Sequence, residues 1–137
     1  MKSLAGEAYP SSVLVAADSH KRAMTLDIRS AVENLADLLG ATDVAAIGGV
    51  QETRAVQQWI DGTRAPQRPH VLRFALQLCL MISTVATREL VRAWFHGSNP
   101  GLNDATPLTL LRDRPLEEAQ GPLMAAARSF AARDASA

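Results

Sequence analysis

The residues with the most usable chemistry lie within 49-GVQETRAVQQWIDGTRAP-66. Thr53, Arg54, Gln57 and Gln58 share one short polar stretch. An arginine fork matches the O6 and N7 edge of guanine, and a glutamine amide matches the N6 and N7 edge of adenine. Arg64 and Arg68 follow in the basic, proline-broken segment 63-TRAPQRP-69, where phosphates would pass the end of a reading helix. The same side chains on an ordinary solvated helix face need no ligand. What holds them decides between the two readings.

The pattern predicts a helix from about 54 to 61, capped by Glu52 or Thr53 and ended at Gly62, with Ala55, Val56, Trp59 and Ile60 facing inward. Before it, Thr42 is expected to cap a short helix carrying Val44, Ala45 and Ile47, which stops at Gly48-Gly49. Two short helices joined by a glycine turn follow the helix-turn-helix plan. That plan needs a rigid angle, so that one helix crosses the DNA backbone while the other enters the major groove. Ile47, Val50, Val56 and Trp59 are the small core expected to fix the angle.

Ile28, Val32, Leu35, Leu38 and Leu39 recur at helical spacing upstream, and Gly40 ends that segment. Residues 1–24 lack sustained periodicity and are expected to form a flexible arm with a short helix near 13–22. A further helix begins near His70 and is apolar nearly all round between Val71 and Ile82. Such a helix must be covered on several sides, and a partner subunit is expected to help, giving a homodimer or higher oligomer. Thr87 is expected to cap a helix over 88–95, Pro107 to open one over 108–113, and Pro115 to open a last one interrupted at Gly121-Pro122.

The chain therefore reads as all-α: an arm over 1–24, a helix-turn-helix region over 25–69, and a helical dimerisation and partner-binding region over 70–137. Composition agrees. The 137 residues are 47% hydrophobic and 20% charged, enough apolar material for a core, and strand-favouring residues are scarce. The net charge is zero, but residues 51–92 carry six arginines against Glu52, Asp61 and Glu89, the one net-basic third. A single cysteine, Cys79, excludes an internal disulfide and fits a reducing cytosol. The apolar run 71–86 is too short to span a membrane and holds Arg73 and Gln77.

The stretch 45-AAIGGVQETRAVQQWIDGTRAP-66, with its closing Trp-x-x-Gly-x-x-x-Pro, resembles the phage-repressor-like (Xre) family of helix-turn-helix domains. The stretch 93-AWFHGSNPGLNDATPLTLLRD-113 is similar to the toxin-binding region of Xre/MbcA/ParS-type antitoxins. It matches at Ala93-Trp94, Asn99-Pro100, Leu102, Pro107 and Leu110-Leu111, and the likeness runs over about residues 28–130. Arg114-Pro115 stands where that family commonly has a glycine. The resemblance implies an antitoxin that represses its own operon through operator DNA. It also implies a protein partner, a RES-domain toxin that consumes NAD, bound by Trp94, Asn99, Pro100, Leu102, Pro107, Leu110 and Leu111, and the aromatic Phe95 beside Trp94 is a further candidate contact. Trp94 and Phe95 serve equally well as core packing. The Ala-rich tail 124–137, with Arg128, is slim enough to enter a toxin cleft.

Nothing in the sequence calls for catalysis, a metal or a cofactor. His20, His70 and His96 are scattered, and one cysteine cannot complete a ligand set with them. His96 near Ser98 lacks an ordering carboxylate in the sequence pattern, and 97-GSNPG-101 follows no strand, so neither a triad nor a phosphate loop is expected. The alternative from another class is a dimeric transcriptional regulator without a toxin.

Overall fold

A computed structural model describes residues 12–136. Within them the chain forms eight α-helices and one 3-10 turn, with no strand. They are α1 (Ser12–Thr25), α2 (Ile28–Leu39), α3 (Ala41–Ile47), α4 (Arg54–Asp61), α5 (Pro69–Ser83), α6 (Arg88–His96), the 3-10 turn Pro100–Leu102, α7 (Pro107–Asp113) and α8 (Leu116–Ser136). The fold class is the all-α one read from the pattern.

Most boundaries have local causes. Asp27 caps α2 by accepting the Ser30 N–H at 2.8 Å. Thr87 does the same for α6 through the Leu90 N–H, and Thr106 for α7 through the Thr109 N–H. Pro69 and Pro107 each occupy a first turn, where a missing N–H costs nothing. The cap of α3 differs from expectation. Gly40, at φ 91°, both ends α2 and starts α3, and Thr42 lies inside the helix. Only a residue without a Cβ adopts that turn cheaply, so the chain reverses there at once.

Helix α5 is the centre of the molecule. It packs on α1, α2 and α8, while α3 and α6 cover further sides. Val71, Leu72, Phe74, Ala75, Leu76, Leu78, Cys79, Met81 and Ile82 are all buried within one chain. Its apolar surface is therefore no argument for a partner subunit. The cover comes from elements the pattern did not assign to it.

Two of those elements differ from the sequence reading. Residues 1–11 of the expected arm lie outside the described residues, but 12–24 belong to α1, which docks along α5. The expected break at Gly121-Pro122 is absent, and α8 runs through it. Pro122 removes one backbone donor, that for the Glu118 carbonyl, on a face where Glu118, Gly121 and Pro122 are exposed. Solvent can serve that carbonyl. Meanwhile Ala119, Leu123, Ala127 and Ala131, four residues apart, keep a buried stripe against the body. One core cluster extends from Ala23 to Ala127, so the regions 25–69 and 70–137 share a single interior.

Candidate nucleic-acid interface and partner groove

Helices α3 and α4 both pack on α2, and the turn between them closes over a tryptophan. Trp59 is 1% exposed, and Ile47, Val56 and Ala55 are buried beside it, with Val50 packed against the cluster. The fit is tightest at Gly48, where an added Cβ would lie 2.5 Å from Trp59 Cη2 and 2.8 Å from Cζ3. Glycine is thus required there for close approach. The next residue, Gly49, is required for its φ of 82°. The indole N–H has no acceptor among the described residues, so α4 is seated by ring packing rather than by a hydrogen bond.

The opposite face of α4 points outward. Thr53, Arg54 and Gln57 are exposed and Gln58 is half-buried. Arg54 is loosely paired with Glu52 at 3.8 Å, with both side chains mostly in solvent. Gln57 Nε2 donates to Asp61 Oδ1 at 2.9 Å, which holds the amide along the helix while leaving its oxygen and second N–H available. Gln58 has a structural task instead. Its carbonyl accepts the N–H groups of Gly62, Thr63 and Arg64 and so terminates α4, while its side-chain oxygen meets Arg64 Nη1 at 3.5 Å.

Most arginines of the net-basic third are engaged by the protein itself. Arg68 Nη2 donates to the Leu111 carbonyl at 2.9 Å and Nη1 to the Arg112 carbonyl at 3.3 Å, tying the linker before α5 to the end of α7. Its stem also lies against Gly49. Arg73 Nη1 donates to the carbonyls of Ala23 and Leu26 at the end of α1, and Arg92 Nε to that of Leu38 at the end of α2. Arg88 pairs with Asp37 at 3.5 Å. A guanidinium satisfies the orphan carbonyls of a helix end and favours its negative dipole end. The local charge excess that looked like a nucleic-acid footprint is thus largely used in joining helices. Arg54 and Arg64 remain outward-facing, whereas both Nη groups of Arg68, read in the sequence as a phosphate contact, are bonded to carbonyls of the chain itself.

The expected toxin-binding set divides in the same way. Phe95, Leu102, Pro107 and Leu111 are buried, so their side chains pack the chain's own interior. Trp94, Asn99 and Leu110 are half-buried, while Pro100 and Arg128 are exposed. Trp94 meets Phe95 edge-on, with ring centroids 5.1 Å apart and planes at 79°, so Phe95 anchors the ring that Trp94 leaves at the surface. Asn99 shapes the loop: its Oδ1 accepts the Gly101 N–H at 3.0 Å and its carbonyl accepts those of Leu102 and Asp104. Between this loop and α8 runs a groove of about 730 Å³ lined by Trp94, Ser98, Pro100, Pro122, Ala126 and Phe130. Phe130, which lines the groove with Trp94, lies in the segment that the sequence reads as a slim tail, with no signal of its own there. The tail is not free either, since Ala127 and Ala131 are buried and α8 lies on the body.

A histidine–carboxylate contact also crosses the molecule. His96 Nε2 lies 2.7 Å from Asp43 Oδ2, linking the end of α6 to the first turn of α3. The carboxylate that the sequence pattern did not offer His96 is thus present, on the buried side of α3. Cys79 is fully buried, and loss of solvent pushes its thiol well above the ordinary range, which removes it from reactive chemistry. Among the described residues no group of three or more His, Cys, Asp or Glu could hold a metal ion. No helix there is long and apolar enough to cross a membrane.

Comparison with protein-family models, with curated proteins and with solved structures yields no match.

Proposed function

We propose that the chain is a DNA-binding antitoxin whose helix α4 reads operator DNA and whose loop–α8 groove receives a protein toxin, without catalysis of its own. The observation that carries the DNA half is the seating of Trp59 against Gly48. It fixes α4 to α3 while Arg54 and Gln57 stay exposed on the far side. A rigid helix with outward arginine and glutamine is the physical requirement for direct readout in a major groove. The partner half rests on the groove between Trp94 and Phe130, two half-buried aromatics of the kind that dominate protein interfaces. The toxin class, a RES-domain protein consuming NAD, comes from the resemblance at residues 93–113, and the setting is the cytosol. Two copies on an inverted repeat match this mode of binding.

Ala126→Arg tests the partner half. Ala126 lines the groove from a half-buried position, and an arginine there would fill it. Co-expressed with the toxin encoded beside it, the wild-type chain should restore growth and Ala126→Arg should not, while both bind DNA alike. Equal rescue by both chains would remove the groove from the proposal. The second reading, a regulator without a toxin, is favoured by the burial of Phe95, Leu102 and Leu111, which withdraws three of the expected contacts. Operator binding with no neighbouring toxin to neutralise would select it.

A further inference from the structure

We infer that Arg29, at the start of α2, is a phosphate-contacting residue at the C-terminal end of α4, paired with Arg64. The inference rests on the DNA-binding reading of α4. Arg29 lies 31 positions before Ile60 in the chain, yet its Nε donates to the Ile60 carbonyl at 3.0 Å. Its stem and guanidinium lie flat over Gly62, whose added Cβ would fall 3.0 Å from Nε, 3.1 Å from Cζ and 3.2 Å from Cδ. Gly62 is left-handed at φ 83°, so the chain turns away there and leaves the arginine uncovered. Nε is occupied, and the two Nη groups have no protein acceptor among the described residues.

Exposure and a free fork separate this arginine from Arg68 and Arg73, and its position separates it from Arg92, which is likewise exposed and bound through Nε alone but caps the end of α2. Arg29 is exposed, whereas Arg68 and Arg73 are half-buried. It uses one donor on the protein and keeps its bidentate edge free, the edge that fits a phosphate. It also sits at the end of the proposed reading helix, where Arg64 is the other outward guanidinium. The nearby acids make bonds of their own, Asp27 accepting the Ser30 N–H and Asp61 accepting Gln57 Nε2, and Asp27 attracts Arg29 only through space. Anchoring through Nε fixes the direction of the fork before binding, so less side-chain freedom is lost on contact. The ligand class is a phosphodiester of duplex DNA, on the strand passing the exit of α4.

The experiment is fluorescence anisotropy of the full chain on a mixed-sequence 30-base-pair duplex, titrated across NaCl concentrations, since phosphate contacts need no operator. Each contact contributes about 0.9 to the slope of log affinity against log salt. Arg29→Gln should lower the slope by about that amount, and Lys21→Gln, on the exposed side of α1, should leave it unchanged. A wild-type slope in Arg29→Gln overturns the inference and leaves the DNA reading standing. A wild-type chain that binds no duplex overturns both. Because Arg29→Gln also removes a helix-end bond, the unmutated protein supplies an independent readout with phenylglyoxal, which modifies accessible guanidinium groups. Arg29 should be modified in the free protein and protected severalfold by the duplex. Equal modification with and without DNA overturns the inference.

Discussion

Replacing Arg68 by alanine separates a structural arginine from a DNA-binding one, because the two roles predict opposite measurements. The side chain makes two charge-assisted bonds, at 2.9 Å to the part-buried Leu111 carbonyl and at 3.3 Å to the exposed Arg112 carbonyl. Water can replace the second at little cost. The first leaves a partly desolvated acceptor at the end of α7, and a bond of this kind contributes about 1.5–3 kcal/mol. Loss of the stem packed on Gly49 adds to this, so Arg68→Ala should destabilise the fold by about 2 kcal/mol or somewhat more. At roughly 2–4 °C per kcal/mol for a chain near this size, the thermal midpoint should fall by about 4–8 °C. Arg68→Lys should recover only part, since an ammonium cannot serve two carbonyls with a planar fork. The assay is circular dichroism against temperature, with DNA binding measured in parallel at a temperature where both proteins are folded. The salt slope should not change. An unaltered midpoint together with a slope lowered by about 0.9 would refute the reasoning and restore Arg68 to the phosphates.

Gly48→Ala should cost about 1–3 kcal/mol by overpacking, because its Cβ would fall 2.5 Å from a buried ring that cannot swing away; retained stability and DNA affinity would show that the α3–α4 angle is not set there. Stability should also fall in acid through Asp27, whose bond to the Ser30 backbone N–H holds its carboxyl below the ordinary value of 3.8. A depressed folded value means that the contribution is present above the unfolded value and lost as pH falls through the folded one. Asp27→Asn keeps a cap without a titrating charge, so denaturant midpoints between pH 5 and pH 2 should show a weaker acid loss than wild type, and an identical profile would count against the capping role.

What could be read in the sequence was local. The limits of α4 are legible because an apolar Ala55-Val56/Trp59 face is followed by Gly62, and all lie within nine residues. The glycine pair at 48–49 is legible as a turn, although only the structure gives its two causes, a ring contact at one residue and a positive φ at the next. Helix α5 shows the limit of periodicity. The pattern tells how much of a helix is apolar, not which elements cover it, and α1 and α8 were given other tasks. Pro122 is a helix breaker by local rules, but a buried stripe on the other side of α8 outweighs one lost bond. The arginines are the sharpest case. Arg68, Arg73 and Arg92 donate to carbonyls 43–54 positions away, so their side chains signal charge locally while their partners are set by packing.

The most direct measurement is in vitro selection from a random duplex library with the wild-type chain and with Arg54→Ala and Gln57→Ala. If α4 reads DNA, the wild type should enrich an inverted repeat. Arg54→Ala should then lose preference at one guanine position per half-site, with about 1–3 kcal/mol of discrimination, and Gln57→Ala should lose preference at an adenine. No enriched sequence from the wild type, or the same repeat with undiminished preference from both variants, would contradict the assignment of α4 as the reading helix.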